Sequence, residues 1–151
     1  MKIEASDSDN TALNGVNLKC ADYGSTTATK DIYSTTGRWG RWKSAKECTD
    51  GKPVTGFRLK YVSSAHDDVG ATNLELWCGY QEVESGSALQ AEYDSDVDFG
   101  SWSGWKRCPT SYAVVGFKTR VGANQGRRDY TAMNGINMVC KKYDCQGTGC
   151  P

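Results

Sequence analysis

The stretches DNTALNGVNLKC (Asp9–Cys20) and DYTAMNGINMVC (Asp129–Cys140) are two copies of one motif. Both contain an aspartate, Thr-Ala, a large apolar residue, Asn-Gly and a final cysteine. A looser copy, DDVGATNLELWC (Asp67–Cys78), keeps the aspartate, the alternating apolar positions and the cysteine. Because self-similarity at a fixed spacing is typical of repeat architectures, we predict a repeated unit of about sixty residues.

A tryptophan motif recurs upstream of two other cysteines. GRWGRW (37–42) precedes Cys48, and SWSGW (101–105) precedes Cys108. Eight residues after each of these cysteines, a Gly-Phe pair opens a run, FRLKYV or FKTRV, in which apolar and basic side chains alternate. This alternation predicts strands with one buried and one exposed face. We predict one domain, 1–151, with a repeat remnant at 7–20, repeats at about 34–78 and 98–140, and a cysteine-containing tail at 141–151.

Of the seven cysteines, only Cys140, Cys145 and Cys150 cluster, and the others lie about thirty residues apart, so the sequence lacks the close CxxC-type pairs typical of a zinc site. Within each complete unit we expect the two cysteines to pair, Cys48 with Cys78 and Cys108 with Cys140. A disulfide that closes a loop of about thirty residues stabilises a fold by about 3–4 kcal/mol in the chain-entropy model. Such disulfide use predicts a secreted, extracellular protein, whose signal peptide we expect to have been removed from this sequence.

Composition narrows the functional classes. Lys+Arg and Asp+Glu are equal at 18 each, so the chain has no basic excess for nucleic acid. No apolar run is long enough for a membrane-spanning helix. The 17 glycines separate short runs rich in Thr, Val, Tyr and Trp, which favours an all-β fold of short strands and tight turns.

The repeated motifs, DNTALNGVNLKC, DYTAMNGINMVC and GRWGRW, resemble those of the vitelline membrane outer layer protein 1 family. The resemblance covers two full repeats and the end of a third. It implies a disulfide-stapled β-prism, in which three antiparallel Greek-key sheets surround a pseudo-threefold axis. It also implies a secreted protein of an egg coat or a similar extracellular layer.

The chain departs from the family pattern because it has two of the three tryptophan openings. Cys20 therefore lacks its usual upstream partner. Either the sequence is a fragment, or the tail closes the prism and Cys20 bonds Cys145 or Cys150. Since seven is odd, one thiol remains free or links to a second chain.

The sequence offers few candidate binding residues. Trp39, Trp42, Trp102 and Trp105 could stack on sugar rings, although repeated tryptophans are also typical of core anchors at repeat junctions. As candidate carbohydrate-binding residues we select Trp39 and Trp102 together with the acids Asp67 and Asp68. We assign the remaining motif residues to structural turns, with the glycines at positive φ. These turn residues are Asp9, Asn14, Gly15, Asp129, Asn134 and Gly135.

No catalytic residue, metal site or cofactor is evident. Asp94, Asp96 and Asp98 resemble the start of a calcium loop, but Trp105 occupies the position that requires a bidentate acid. His66 lies in a polar turn without a nucleophile motif.

We therefore predict a non-enzymatic extracellular coat or matrix protein that binds glycans or other coat proteins, as a monomer, an oligomer or a disulfide-linked dimer. One alternative is a weak transferase or hydrolase of chito-oligosaccharides, implied by the resemblance. Another is a targeting module of a larger secreted or pore-forming protein.

Overall fold

The structure, a computed structural model, describes residues 1–5, 12–22, 25–62, 70–80, 86–90, 98–122 and 133–143. Within these ranges the chain forms strands and a single 3₁₀ turn at Thr49–Gly51, which confirms the all-β prediction. No helix there has the length and apolar character that crossing a membrane requires. The strands are β1 (Lys2–Glu4), β2 (Ala12–Gly15), β3 (Asn17–Cys20), β4 (Lys30–Tyr33), β5 (Arg41–Trp42), β6 (Val54–Tyr61), β7 (Ala71–Cys78), β8 (Ser87–Gln90), β9 (Ser101–Trp102), β10 (Lys106–Arg107), β11 (Tyr112–Val121) and β12 (Met133–Lys142).

The same strand pair is built three times. β1 pairs with β2, β6 with β7, and β11 with β12, each antiparallel. In every pair the register shifts by one residue near the start of the second strand, which leaves Asn14, Thr72 or Asn134 without an opposite residue. These three residues are the extra residues of β-bulges, and they align the three repeats structurally.

The register corrects the start of the first repeat. Lys2, Lys60 and Arg120 stand directly before the bulge in their respective strand pairs. β1 is therefore the counterpart of the ends of β6 and β11, and the first repeat includes Lys2–Glu4 rather than beginning at residue 7. This strand is not predictable from the sequence, because three residues are too few to show alternation.

The assignment of the Asn-Gly pairs to turns is wrong. Asn14 and Gly15 lie in β2, Asn134 and Gly135 lie in β12, and neither glycine has a positive φ. Asn14 is completely buried. A Cβ on Gly15 would lie 2.6 Å from Thr36 Cγ2, so the close approach of residue 36 excludes a side chain there. Asp9 and Asp129, the other expected turn residues, lie outside the described residues.

The three repeats share one core. Strands β2, β7 and β12 each contact the other two. Leu13, Ala71 and Met133 occupy the same position beside the three bulges, and none of them is more than 1% exposed. A Cβ on Gly70 would overlap Asn134 Oδ1, which shows how closely the backbones approach here. This convergence of equivalent strands is consistent with the β-prism expected from the sequence.

One disulfide joins each of the two long hairpins, β6–β7 and β11–β12, to the segment that precedes it. Cys48 bonds Cys78, and Cys108 bonds Cys140, with Cα–Cα separations of 5.6 and 5.7 Å. These are the two pairs expected within the repeats. Cys20, at the equivalent end of β3, has no disulfide partner among the described residues. Its expected partners, Cys145 and Cys150, lie outside them.

Candidate functional site

The tryptophan segments of two repeats cross over to the preceding repeat. β5 pairs with β1 and places Trp42 opposite Lys2. β9 pairs with β6 and places Trp102 opposite Lys60. Since Lys2 and Lys60 are equivalent in their own strand pairs, Trp42 rather than Trp39 is the structural counterpart of Trp102.

A glycine permits each crossing. Gly40 has a φ of +85° and Gly100 a φ of +96°, a conformation that other residues adopt only with strain. A Cβ on Gly40 would lie 2.6 Å from the carbonyl of Ile3, and one on Gly100 would lie 2.5 Å from the carbonyl oxygen of Tyr61. These glycines, rather than the Asn-Gly pairs, are the repeat glycines that require positive φ.

The indole ring of Trp102 is covered by cations. The Arg58 guanidinium lies 4.6 Å from the ring centre, and Lys60 Nζ lies 5.6 Å from it. Arg58 is held there because its Nε donates a hydrogen bond to Glu75 Oε2. Cations over an indole face are attracted by its negative quadrupole, so this arrangement stabilises the fold. The geometry favours the core-anchor role for Trp102 over sugar stacking.

The stack continues along the sheet. Arg58 also lies 4.9 Å from the ring centre of Trp105, which meets Trp77 edge to face at 5.2 Å. Arg107 in turn covers Trp77 at 4.0 Å. Three of the five tryptophans, Trp77, Trp102 and Trp105, therefore form one stack with the guanidinium groups of Arg58 and Arg107.

Of the other sequence-predicted sugar contacts, the structure describes only Trp39. Trp39 is 44% exposed, with Arg38 at 5.1 Å from its ring centre, and it does not line the cavity described below. Asp67 and Asp68 lie outside the described residues, and their assignment to sugar binding stays a prediction.

Trp42 differs from its counterpart because its indole is open. It is 45% exposed, and among the described side chains none stacks a cation on its ring. Tyr33, which is 60% exposed, meets Trp42 edge to face with the ring centres 5.9 Å apart. Trp42 is one of the four motif tryptophans considered for sugar stacking, but neither Trp42 nor Tyr33 is among the predicted site residues. Alignment of the two motifs on Gly40 and Gly100 would have paired Trp42 with Trp102.

This aromatic pair borders a cavity of the described structure. Tyr33 and Trp42 both line it, and its volume is about 770 Å³. Strands from all four sheets of the described structure contribute to the walls, which are mainly apolar. The apolar residues include Leu18, Ile32, Leu74, Leu76, Leu89 and Val114. A concave apolar site with a few polar groups at its edge is typical of small-ligand binding.

Asp31 positions the tyrosine at the cavity edge. Its Oδ2 accepts hydrogen bonds from Asn17 Nδ2 at 3.4 Å and from the Tyr33 hydroxyl at 3.3 Å, and Lys19 Nζ lies 3.6 Å from Oδ1. The Asn17 hydrogen bond contributes most to lowering the pKa of Asp31 below its ordinary value, with smaller contributions from Lys19 and Tyr33. Asp31 is therefore ionised near neutral pH and remains an acceptor for Tyr33.

Several acids of the sequence could serve glycosidic or calcium chemistry, and those that the structure describes have ionic partners. Glu75 pairs with Arg58, and Asp98 lies 2.9 Å from Lys60 Nζ. In the described part of the chain, no three His, Cys, Asp or Glu side chains lie close enough together to hold a metal ion. Asp67, Asp68, Glu82, Glu84, Glu92, Asp94 and Asp96 are among the acids outside that part, and His66 also lies outside it.

Comparison with known proteins agrees with the repeat architecture. The profile of the family described as Vitelline membrane outer layer protein I matches residues 1–98 and 89–148. The chain is 31% identical over 134 residues to the vitelline membrane outer layer protein 1 homologs of Homo sapiens and of Mus musculus. Each alignment covers 87% of this chain and 62% of the relative, so the chain spans somewhat less than two thirds of these proteins. With three bulged hairpins around one core and a profile match over nearly its whole length, the chain belongs to the vitelline membrane outer layer protein I family.

Proposed function

We propose that this protein is an extracellular coat or matrix protein that binds glycans, and that Trp42 and Tyr33 form its sugar platform. The family name refers to an outer layer, and the two disulfides suit an oxidising, extracellular compartment. A rigid, disulfide-joined block with zero net charge has little electrostatic repulsion against dense packing in a layer. Other coat proteins are the further expected partners.

The observation that carries the glycan proposal is the contrast between Trp42 and Trp102. The two residues occupy equivalent positions, but cations cover Trp102 whereas Trp42 is open beside a cavity. An indole with an open apolar face and a neighbouring tyrosine offers both a stacking surface and a hydroxyl. Because no cation of the described residues covers this ring, its face is available to a ligand.

The first test is calorimetric titration with oligosaccharides, neutral and acidic, combined with product analysis of the same mixtures. We expect binding without lengthening or shortening of the oligomers. Trp42→Ala should weaken binding at least about tenfold, since truncation of an anchoring aromatic typically costs about 2 kcal/mol or more. Altered oligomers would replace the proposal with a glycosyl-transfer or hydrolytic enzyme.

Trp39→Ala is the matched control. Trp39 belongs to the same sequence motif and is equally exposed, at 44% against 45% for Trp42, but it does not line the cavity. We expect its substitution to leave the affinity unchanged. An equal loss in both variants would contradict the platform, and no binding of any oligosaccharide would contradict glycan binding.

A further inference from the structure

The second and third hairpins have the same register but differ in what covers their first strand. Thr55 of β6 and Val115 of β11 are equivalent, since each is the residue skipped at the register shift near the start of its strand. Thr55 is completely buried, whereas Val115 is 50% exposed. The same position is therefore covered in one repeat and open to solvent in the other.

The cover on β6 is the tryptophan segment of the next repeat. β9 and β10 both pair with β6, and the amide of Cys108 donates a hydrogen bond to the Thr55 carbonyl at 2.8 Å. Further along β6, the Leu59 carbonyl accepts from the Ser103 amide at 2.8 Å, and the Leu59 amide donates to Ser103 Oγ at 3.0 Å. The edge of β6 is thus paired along most of its length.

The third hairpin receives no tryptophan segment of this chain. Within the described ranges, β12 is the only strand that pairs with β11. The complete sequence has five tryptophans, all of which are described, and none of them lies in a strand paired with β11. Since one such segment crosses onto β1 and another onto β6, only two of the three equivalent edges hold one.

The face beside this edge is open as well. Val139, the counterpart of Trp77, lies opposite Gly116 and is 52% exposed. A Cβ on Gly56 would lie 2.9 Å from the carbonyl oxygen of Lys106, whereas a Cβ on the equivalent Gly116 would approach only Val139 among the described residues, at 3.9 Å. An edge strand beside exposed apolar side chains is a template for pairing with a further strand.

We propose that β11 is a docking edge for a Gly-x-Trp segment of another polypeptide, which pairs antiparallel with β11 as β9 and β10 pair with β6. A segment of this type is the fitting occupant because both equivalent edges hold one. By the register, its tryptophan lies opposite Arg120, as Trp102 lies opposite Lys60. The proposal goes beyond the function above, because Trp42 and Tyr33 take no part in this pairing.

The test is binding of a synthetic peptide of residues 98–107, DFGSWSGWKR, to the full chain, measured by fluorescence anisotropy of a label on the peptide. We expect saturable binding. Replacing both tryptophans of the peptide by alanine should weaken it at least about tenfold. Hydrogen exchange locates the contact, because the amide of Thr119, the counterpart of Leu59, should become protected in the complex.

A matched pair of glycine variants places the effect at β11. Gly116→Ala adds a methyl group where the docked segment lies, although the chain itself leaves room for it. Gly104→Ala is the control, because a Cβ there would meet nothing within 4 Å. Both variants should be as stable as the unaltered protein in thermal unfolding, and only Gly116→Ala should weaken peptide binding, by at least about tenfold.

Several outcomes would overturn this docking edge. They are the absence of saturable binding, equal binding of the alanine peptide, equal affinities in the two glycine variants, and protection confined to amides outside β11. Dimerisation of the chain that Gly116→Ala abolishes would replace the proposed partner with a second copy. None of these results bears on the sugar platform, which the titration with oligosaccharides tests separately.

Discussion

The guanidinium of Arg58 lies 4.6 Å from the ring centre of Trp102, and this contact joins two repeats. Arg58 belongs to the strand that follows the first disulfide-linked segment, whereas Trp102 opens the next repeat and pairs with the end of the same strand. The side chain of Glu75, the ionic partner of Arg58, is only 9% exposed. Arg58 therefore both covers an aromatic ring and neutralises a nearly buried carboxylate.

Arg58→Met should destabilise the fold. The substitution removes the cation from two indole rings and leaves the Glu75 carboxylate without its ionic partner, which together cost about 2–3 kcal/mol. The measurement is the free energy of unfolding in urea. Arg58→Met combined with Glu75→Gln should recover part of the loss, because no buried charge then lacks a partner. A loss below about 0.5 kcal/mol in the single variant would contradict a stabilising role for this stack.

Gly40→Ala should also be destabilising. It forces a side chain into a φ of +85° and towards the carbonyl of Ile3, which costs at least about 2 kcal/mol. Gly104→Ala is the control, because a Cβ there would meet nothing within 4 Å. Thermal unfolding should separate the two variants clearly. If both melted at the same temperature, the crossing between β5 and β1 would not require glycine.

Lowering the pH should weaken the contacts of Asp98, which hold the segment before β9 in place. Burial raises the pKa of Asp98, but hydrogen bonds from Asn73 and Lys60, together with the charge of Lys60, outweigh it and hold the pKa below 3.8. Because the folded pKa is depressed, this stabilisation is fully present above the unfolded value and is lost as the pH falls through the folded value.

We expect the difference in unfolding free energy between the unaltered protein and Asp98→Asn to be constant from about pH 7 to 5 and to shrink below about pH 4. Urea denaturation at each pH provides the measurement. A difference that stayed constant down to pH 2 would show that Asp98 has no depressed pKa in the folded protein.

The disulfide partner of Cys20 can be identified by peptide mapping. We expect it to bond Cys145 or Cys150, which would join the end of β3 to the tail. Tryptic digestion without reduction should yield a disulfide-linked pair of peptides, one with Cys20 and one spanning residues 143–151, detectable by mass spectrometry. The pairs Cys48–Cys78 and Cys108–Cys140 are internal controls. Recovery of Cys20 as a free thiol, or linked to a second copy of the chain, would contradict closure by the tail.

Much of the architecture follows from local sequence. The strands β6, β7, β11 and β12 are predictable because each combines period-two alternation with a flanking cysteine or glycine. The two disulfides follow because each repeat contains its own pair of cysteines. β1 and the bulges were missed, since a three-residue strand and a one-residue register shift leave no periodic signal.

The sequence by itself determined the all-β class, the repetition and the cysteine pairing within repeats, because these depend on residues near one another in the chain. Only the tertiary structure decided which tryptophan is open. Trp42 and Trp102 have similar local sequences, but the cations that cover Trp102 come from β6, a strand of the preceding repeat. The exposure of an indole depends on the side chains that distant strands place against its face, and the local sequence does not predict that contact.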